Sequence, residues 1–174
     1  AIETLASVGI IKGTSETTFD PGKNITRADF ITLLVRTLNL TAEVDSNFDD
    51  VKPGVYYYET VGIAKKLGIV QGVGDNKFNP TANITRQDLM VMVARALKLT
   101  NKITTTGTFE DISSFNDASE VASYAVEGVA TLIKEGIVQG STGNVINPNG
   151  LATRAETAVI VYRIYNKYMV STEN

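Results

Sequence analysis

The sequence predicts an all-α protein built of three tandem helix–loop–helix repeats, and three observations predict it. Three Thr-Arg pairs, Thr26-Arg27, Thr85-Arg86 and Thr153-Arg154, stand in one register, their arginines 59 and then 68 residues apart. Each pair is preceded without a gap by the same loop: a Gly 14 residues before the Arg and a Pro (Pro21, Pro80, Pro148) 6 before. A bulky apolar residue (Phe19, Phe78, Ile146) sits 8 before it. Each pair is then followed by an apolar stripe at helical spacing.

Along the chain, Gly9-Ile-Ile-Lys-Gly13 opens the first loop, and Thr26 heads a helix with the stripe Phe30, Leu33, Leu34, Thr37, Leu38. Thr41 to Asn47 reads as a polar linker. A helix is expected from about Val55 to Leu67, ended by Gly68, which takes positive φ cheaply as a C′ residue. The loop through Pro80 leads to Thr85 and the stripe Leu89, Met92, Val93, Ala96, Leu97. Thr100 to Thr108 is a second polar linker. The next helix is expected from about Val121 to Glu135, stopped by Gly136; the last, after Thr153, carries Ile160, Val161, Ile164, Tyr165 and Tyr168. Thr followed three later by an acid (Thr26/Asp29, Thr85/Asp88, Thr153/Glu156) is a capping box, clean for Glu156 and approximate for the two Asp. The repeats are assigned to residues 1–45, 46–106 and 107–174, with a seven-residue insertion in the third around Phe115-Asn-Asp-Ala-Ser-Glu. Gly9 aligns with Gly68, so the first repeat lacks the counterpart of Phe48 to Glu59, as expected of a cut or processed chain.

Composition narrows the chemistry. At 174 residues the chain can bury roughly 70% of its unfolded surface without a staple. It has no Cys and no His, which removes Cys/His nucleophilic pairs, Ser-His-Asp triads and His- or Cys-based zinc sites. A net charge of −3 argues against nucleic acid, which wants clustered basic charge. No apolar run approaches the ~20 residues that span a bilayer, and no leader-like segment opens the chain, as expected of a mature protein or an excised fragment. Asp75, Asn76 and Asn79 lack the Gly and distal Glu of a calcium loop. No metal, no cofactor and no catalytic residue is assigned, and the chain reads as a non-enzyme.

The assembled residues resemble the S-layer homology (SLH) family in three tandem copies. The second copy gives Phe48-Asp-Asp-Val, Tyr56-Tyr57, Gly68-Ile-Val-Gln-Gly72, Phe78-Asn-Pro80 and Thr85-Arg-Gln-Asp88. The third gives Phe109-Glu-Asp-Ile, Gly136-Ile-Val-Gln-Gly140, Asn147-Pro148 and Thr153-Arg-Ala-Glu156; the first gives Phe19-Asp-Pro21 and Thr26-Arg-Ala-Asp29. Tyr56 stands where the family commonly has Trp, Gln87 replaces Ala and Ile146 replaces Phe. The resemblance implies a pseudo-threefold intramolecular trimer of repeats. It further implies a secreted, wall-associated module of a larger bacterial surface protein, monomeric in itself. Its partner would be an anionic, often pyruvylated, secondary cell-wall polysaccharide attached to peptidoglycan, bound non-covalently in inter-repeat grooves. The alternative is a helical scaffold for protein–protein assembly of a surface layer.

Arg27, Arg86 and Arg154 fall at the first helical position, where the macrodipole disfavours a cation. Anion capture by a guanidinium beside free helix N–H groups would explain three such placements, and a structural ion pair is the alternative. Tyr56 and Tyr124, related by the 68-residue shift, suit a sugar face or a core equally. Gly13, Gly72 and Gly140 serve backbone conformation first and ligand approach second. Thr26, Thr85, Thr153, Asp29, Asp88 and Glu156 read as structural caps. Arg36, Arg95 and Arg163 lie beside the stripes and read as snorkelling structural residues. If Arg27 meets Tyr56 and Arg86 meets Tyr124, Arg154 faces a missing partner, and the first two grooves carry most of the affinity. An alanine at Arg86 is then expected to weaken binding and leave thermal unfolding nearly unchanged.

Overall fold

The computed structural model describes residues 1–11 and 19–170, and among these it is helical, without a named strand. Six α-helices follow in order: α1 Ile2–Ser7, α2 Arg27–Thr37, α3 Tyr58–Lys66, α4 Arg86–Leu99, α5 Val126–Lys134 and α6 Arg154–Tyr168. The three helices that follow Thr-Arg start at the expected residue. Each N-cap threonine is extended, and its hydroxyl accepts from the amide three residues on, at 3.1 Å (Asp29), 3.3 Å (Asp88) and 3.1 Å (Glu156). Of these three acids, Glu156 completes the box by reaching back to its cap amide, at 2.9 Å. α3 and α5 start later than the expected Val55 and Val121. Neither has a side-chain cap, and the segment before α5 winds into 3₁₀ turns at Ala118–Glu120 and Ser123–Ala125. Gly68 and Gly136 end them at φ 78° and 71°.

The chain packs as two compact units, Ala1–Asn83 with Thr153–Asn174, and Ile84–Ala152. In the first, α2 packs on α3 and on α6, and α1 packs on α6. Leu5, Ile10 and Ile11 of the chain's start are buried with Ala158 and Val161 of its last helix, under Phe19, Leu33 and Tyr165. In the second, α4 packs along α5, and Leu89, Val93 and Leu97 are buried, as are Val129, Ala130 and Leu132. The linkers are laid on the helices that follow: Asn47 Nδ2 donates to Tyr58 O at 2.8 Å, and Gly107 N to Thr131 Oγ1 at 3.0 Å.

One sequence assignment is corrected. Phe48 stacks on Phe78 with ring centroids 5.5 Å apart, and Asp50 accepts from the amides of Phe78 and Asn79 at 2.9 and 2.8 Å. In the third repeat these contacts belong to Phe115 and Asp117, not to Phe109 and Asp111. Asp117 accepts from Ile146 and Asn147 at 2.8 and 2.7 Å, and the Phe115 ring faces Gly140 as Phe48 faces Gly72. Phe109 is 48% exposed, in a 3₁₀ turn capped by Thr108 and Asp111. Six of the seven extra residues of the third repeat therefore precede Phe115 and one follows it. The Phe-x-Asp pattern occurs at both Phe109 and Phe115, and the distance to the following glycine, 21 residues from Phe115 and 27 from Phe109 against 20 from Phe48, agrees with Phe115.

Candidate functional site

The helix starts after each Thr-Arg pair are closed by loops that come from the next repeat. Arg27 N donates to Ala82 O at 2.9 Å and Ala28 N to Pro80 O at 3.0 Å. In the second unit Arg86 N donates to Gly150 O at 2.9 Å and Gln87 N to Pro148 O at 3.0 Å. Arg154 N donates to Lys23 O at 2.8 Å and Ala155 N to Pro21 O at 3.0 Å. With the third amide held by the cap, the free N–H groups expected beside each arginine are already used. The repeated prolines now have a role beyond tolerating a lost donor: their carbonyls receive the second helical amide.

The guanidinium groups are drawn into the same loops. Nε donates to Phe78 O from Arg27 at 2.9 Å, to Ile146 O from Arg86 at 3.0 Å and to Phe19 O from Arg154 at 2.9 Å. Arg27 and Arg154 also lie over the rings of Phe78 and Phe19, 4.9 and 4.7 Å from the centroids. Arg27 and Arg86 are buried, and Arg154 is half-buried. These contacts recover the cost of a cation at a helix start by hydrogen bonding and cation–π attraction.

Tyr56 and Tyr124 are open to solvent, 68% and 59% exposed. Each is held at its hydroxyl: Tyr56 Oη donates to Asp29 Oδ1, and Tyr124 Oη donates to Asp88 Oδ1 at 2.6 Å. The two aspartates at the third helical position thus serve the tyrosines. Partial burial of the Tyr56 hydroxyl, and then the Asp29 carboxylate beside it, push its ionisation above the ordinary phenol range. Tyr57 packs edge-on against Tyr56 at 5.0 Å. The structure therefore brings each tyrosine hydroxyl to the acid of a Thr-Arg motif, and Arg154 lies near enough to Tyr56 for its charge to oppose part of the rise in the Tyr56 ionisation.

Gly72 has φ 82°, and a Cβ there would lie 2.4 Å from Lys77 O and 2.8 Å from the Phe48 ring; at Gly140 it would lie 2.4 Å from the Phe115 ring. Gly13 lies outside the described residues. Gln87, where the motif has Ala in the other two repeats, is buried, donates to Asn149 Oδ1 at 3.0 Å and accepts from Ala122 N at 2.9 Å. The sequence pattern marked it as a departure from Ala but not its role, because its partners are distant in sequence. Among the described residues no cluster of three Asp and Glu could hold a metal ion, and no helix is long and apolar enough to cross a membrane.

Residues 1–31, 47–90 and 114–158 match the S-layer homology domain family, more than half of the chain in three segments. The chain belongs to that family. The second and third segments begin one residue ahead of Phe48 and of Phe115, in agreement with the contacts of those two rings. Among curated proteins the chain is similar to an exoglucanase of Acetivibrio thermocellus and an amylopullulanase of Thermoanaerobacterium thermosulfurigenes, each 37% identical over 95% of the chain. It is also similar to a surface-layer 125 kDa protein of Lysinibacillus sphaericus, 32% identical over 94% of the chain. The matched stretch is only 15%, 9% and 14% of those proteins' own lengths.

Proposed function

We propose that this chain is a cell-surface anchoring module that holds a larger protein non-covalently to an anionic secondary cell-wall polysaccharide attached to peptidoglycan. Its setting is the secreted, wall-associated surface, as in its surface-layer relatives. An exoglucanase and an amylopullulanase act on different polymers by name, yet share this stretch with a surface-layer protein. What they share is not either catalytic activity, so the module is read as non-catalytic and monomeric in itself.

The observation that carries the glycan reading is the pair of exposed tyrosines, each tethered at its hydroxyl and open on its ring. A ring held by one charge-assisted hydrogen bond is a rigid platform for a sugar face. In this reading Tyr56 and Tyr124 touch the polymer. Arg27, Arg86 and Arg154, with Gly72 and Gly140, hold the loops that border the grooves, and their own contact with ligand is secondary. The test is co-sedimentation with wall sacculi of the producing bacterium, before and after the secondary polymer is stripped. Wild type should pellet only with unstripped sacculi, and Tyr56→Ala with Tyr124→Ala should bind about tenfold or more weakly at an unchanged melting temperature. Equal pelleting with stripped sacculi overturns the glycan reading in favour of a protein-binding scaffold.

A further inference from the structure

Asn149-Gly150 is the chain's one Asn-Gly pair, and it lies in the loop that closes the start of α4. Such a pair carries its own chemistry. Glycine has no side chain to shield its amide, so that nitrogen can reach and attack the Cγ of the preceding asparagine. The bond from Cγ to the side-chain nitrogen breaks, ammonia leaves, and a five-membered succinimide forms. Water then opens the ring at one of its two carbonyls. The product is an aspartate, or an isoaspartate whose main chain runs through the former side chain. Water is the one co-reactant, and nothing is oxidised or reduced.

Packing both installs this pair and restrains it. A Cβ at position 150 would lie 2.3 Å from Asn147 Nδ2, so the turn is shaped for glycine. Asn149 is exposed, yet its Oδ1 accepts from Gln87 Nε2 at 3.0 Å. Gln87 is buried and is itself fixed by Ala122 N at 2.9 Å. Gly150 N, the attacking atom, donates to Asn147 O at 3.2 Å. Attack requires the carboxamide to swing over that nitrogen and the nitrogen to lose its proton, and both groups are tied. The other two helix starts have no such tether and no such asparagine. Ala28 donates to the Pro80 loop, which continues with Thr81, and Ala155 donates to the Pro21 loop, which continues with Gly22. Glutamine stands at the one helix start whose loop carries Asn before Gly.

We propose that Asn149 is the deamidation site of this protein and that Gln87 guards it by tethering the carboxamide. The cost of losing the guard follows from the same contacts. Arg86 N donates to Gly150 O at 2.9 Å and Gln87 N to Pro148 O at 3.0 Å, and residue 149 lies between these two acceptors. An isoaspartate there adds one main-chain carbon between them, so the loop cannot keep both bonds to the start of α4. The aspartate product keeps the main-chain length and still offers an oxygen to Gln87 Nε2. The damage is carried by the isoaspartate, as a permanent loosening of the α4 start.

The experiment incubates the full chain at neutral pH, folded and in urea, and follows residue 149 by peptide mass mapping with enzymatic isoaspartate labelling. Wild type is compared with Gln87→Ala and with Gln87→Met, which fills similar space without the amide. Folded samples are held where amide exchange shows α4 protected, so that global unfolding does not enter. In urea the three chains should deamidate at Asn149 at one rate. Folded wild type should be more than about tenfold slower than in urea, because reaction waits on local opening. Both folded variants should react about 2- to 10-fold faster than folded wild type, the range set by one net hydrogen bond. Wild type aged until isoaspartate accumulates should melt earlier than fresh protein, whereas Asn149→Asp should melt with it. Equal folded rates in wild type and both variants, or a folded wild-type rate equal to that in urea, overturn the guard. An unchanged melting temperature in the isoaspartate form overturns the loosening of α4.

Discussion

An arginine at the first position of a helix opposes the macrodipole by about 0.3–1 kcal/mol, so each of the three needs a compensating contact. The contact is a carbonyl of the following repeat's loop, received by Nε at 2.9 to 3.0 Å. Arg86→Ala would leave Ile146 O buried without its donor and open a gap under the loop. We predict a loss of about 2–3 kcal/mol in urea unfolding, against the near-neutral effect expected from an arginine that served only a ligand. Arg86→Lys should recover little, because an ammonium cannot reproduce the directed Nε–H bond. The glycines separate in the same way. At Gly72→Ala the positive φ adds to a Cβ pressed against Lys77 O, for a predicted loss of about 2–4 kcal/mol. Gly68→Ala, at φ 78° with nothing within 4 Å, should cost about 1–2 kcal/mol, the conformational part alone.

At the scale of elements, the unit that recurs is a loop clamped by an aspartate. Asp50 and Asp117 each accept two loop amides and so set the loop whose carbonyls close the neighbouring helix start. Partial burial disfavours the Asp50 charge, but the Phe78 and Asn79 amides outweigh it and hold its carboxyl below the usual carboxylate range. A lowered folded pKa means stability that is present above the unfolded value near 4 and is lost as pH falls through the folded one. Asp50→Asn should therefore be less stable at pH 7, with the gap to wild type narrowing as the pH is taken below about 4. Unfolding midpoints across pH 2–7 check this. The register of the third repeat has its own test. Phe115→Ala should cost about 2–3 kcal/mol through lost packing against Gly140, whereas Phe109→Ala, in an exposed 3₁₀ turn, should cost less than about 1 kcal/mol.

At the scale of the molecule, the first two amides of each helix after a Thr-Arg pair donate to the loop of another repeat, the second for the first, the third for the second and the first for the third. The first unit consequently contains both ends of the described chain, and α1 is buried against α6. A six-residue helix is far below the length that is stable in isolation. Removing residues 153–174 should therefore unfold α1 as well as delete α6. Amide exchange at Leu5 and Ile10 should rise to the unprotected rate in the truncated chain, and persisting protection there would show that α1 is held by something else.

The helices that follow Thr-Arg, their caps and the repeat are legible in the residues alone, because each rests on positions close together: a Thr and its third following amide, a stripe at 3.6-residue spacing, a glycine after a last turn. So are the chemistries the chain lacks, since no fold supplies a thiol or an imidazole that is not there. Two short elements are less legible: α3 and α5 carry no side-chain cap, so Gly68 and Gly136 mark their ends but nothing marks their first turns. Where each functional side chain spends its bonds is settled by tertiary packing. The clamp of Asp117 on its loop, the commitment of Arg27, Arg86 and Arg154 to loop carbonyls, the pairing of each tyrosine with an aspartate, and the buried role of Gln87 all join residues 27 to 135 positions apart. Local spacing sets the direction in which a side chain leaves its helix, but only the packing of distant segments places an acceptor there to receive it.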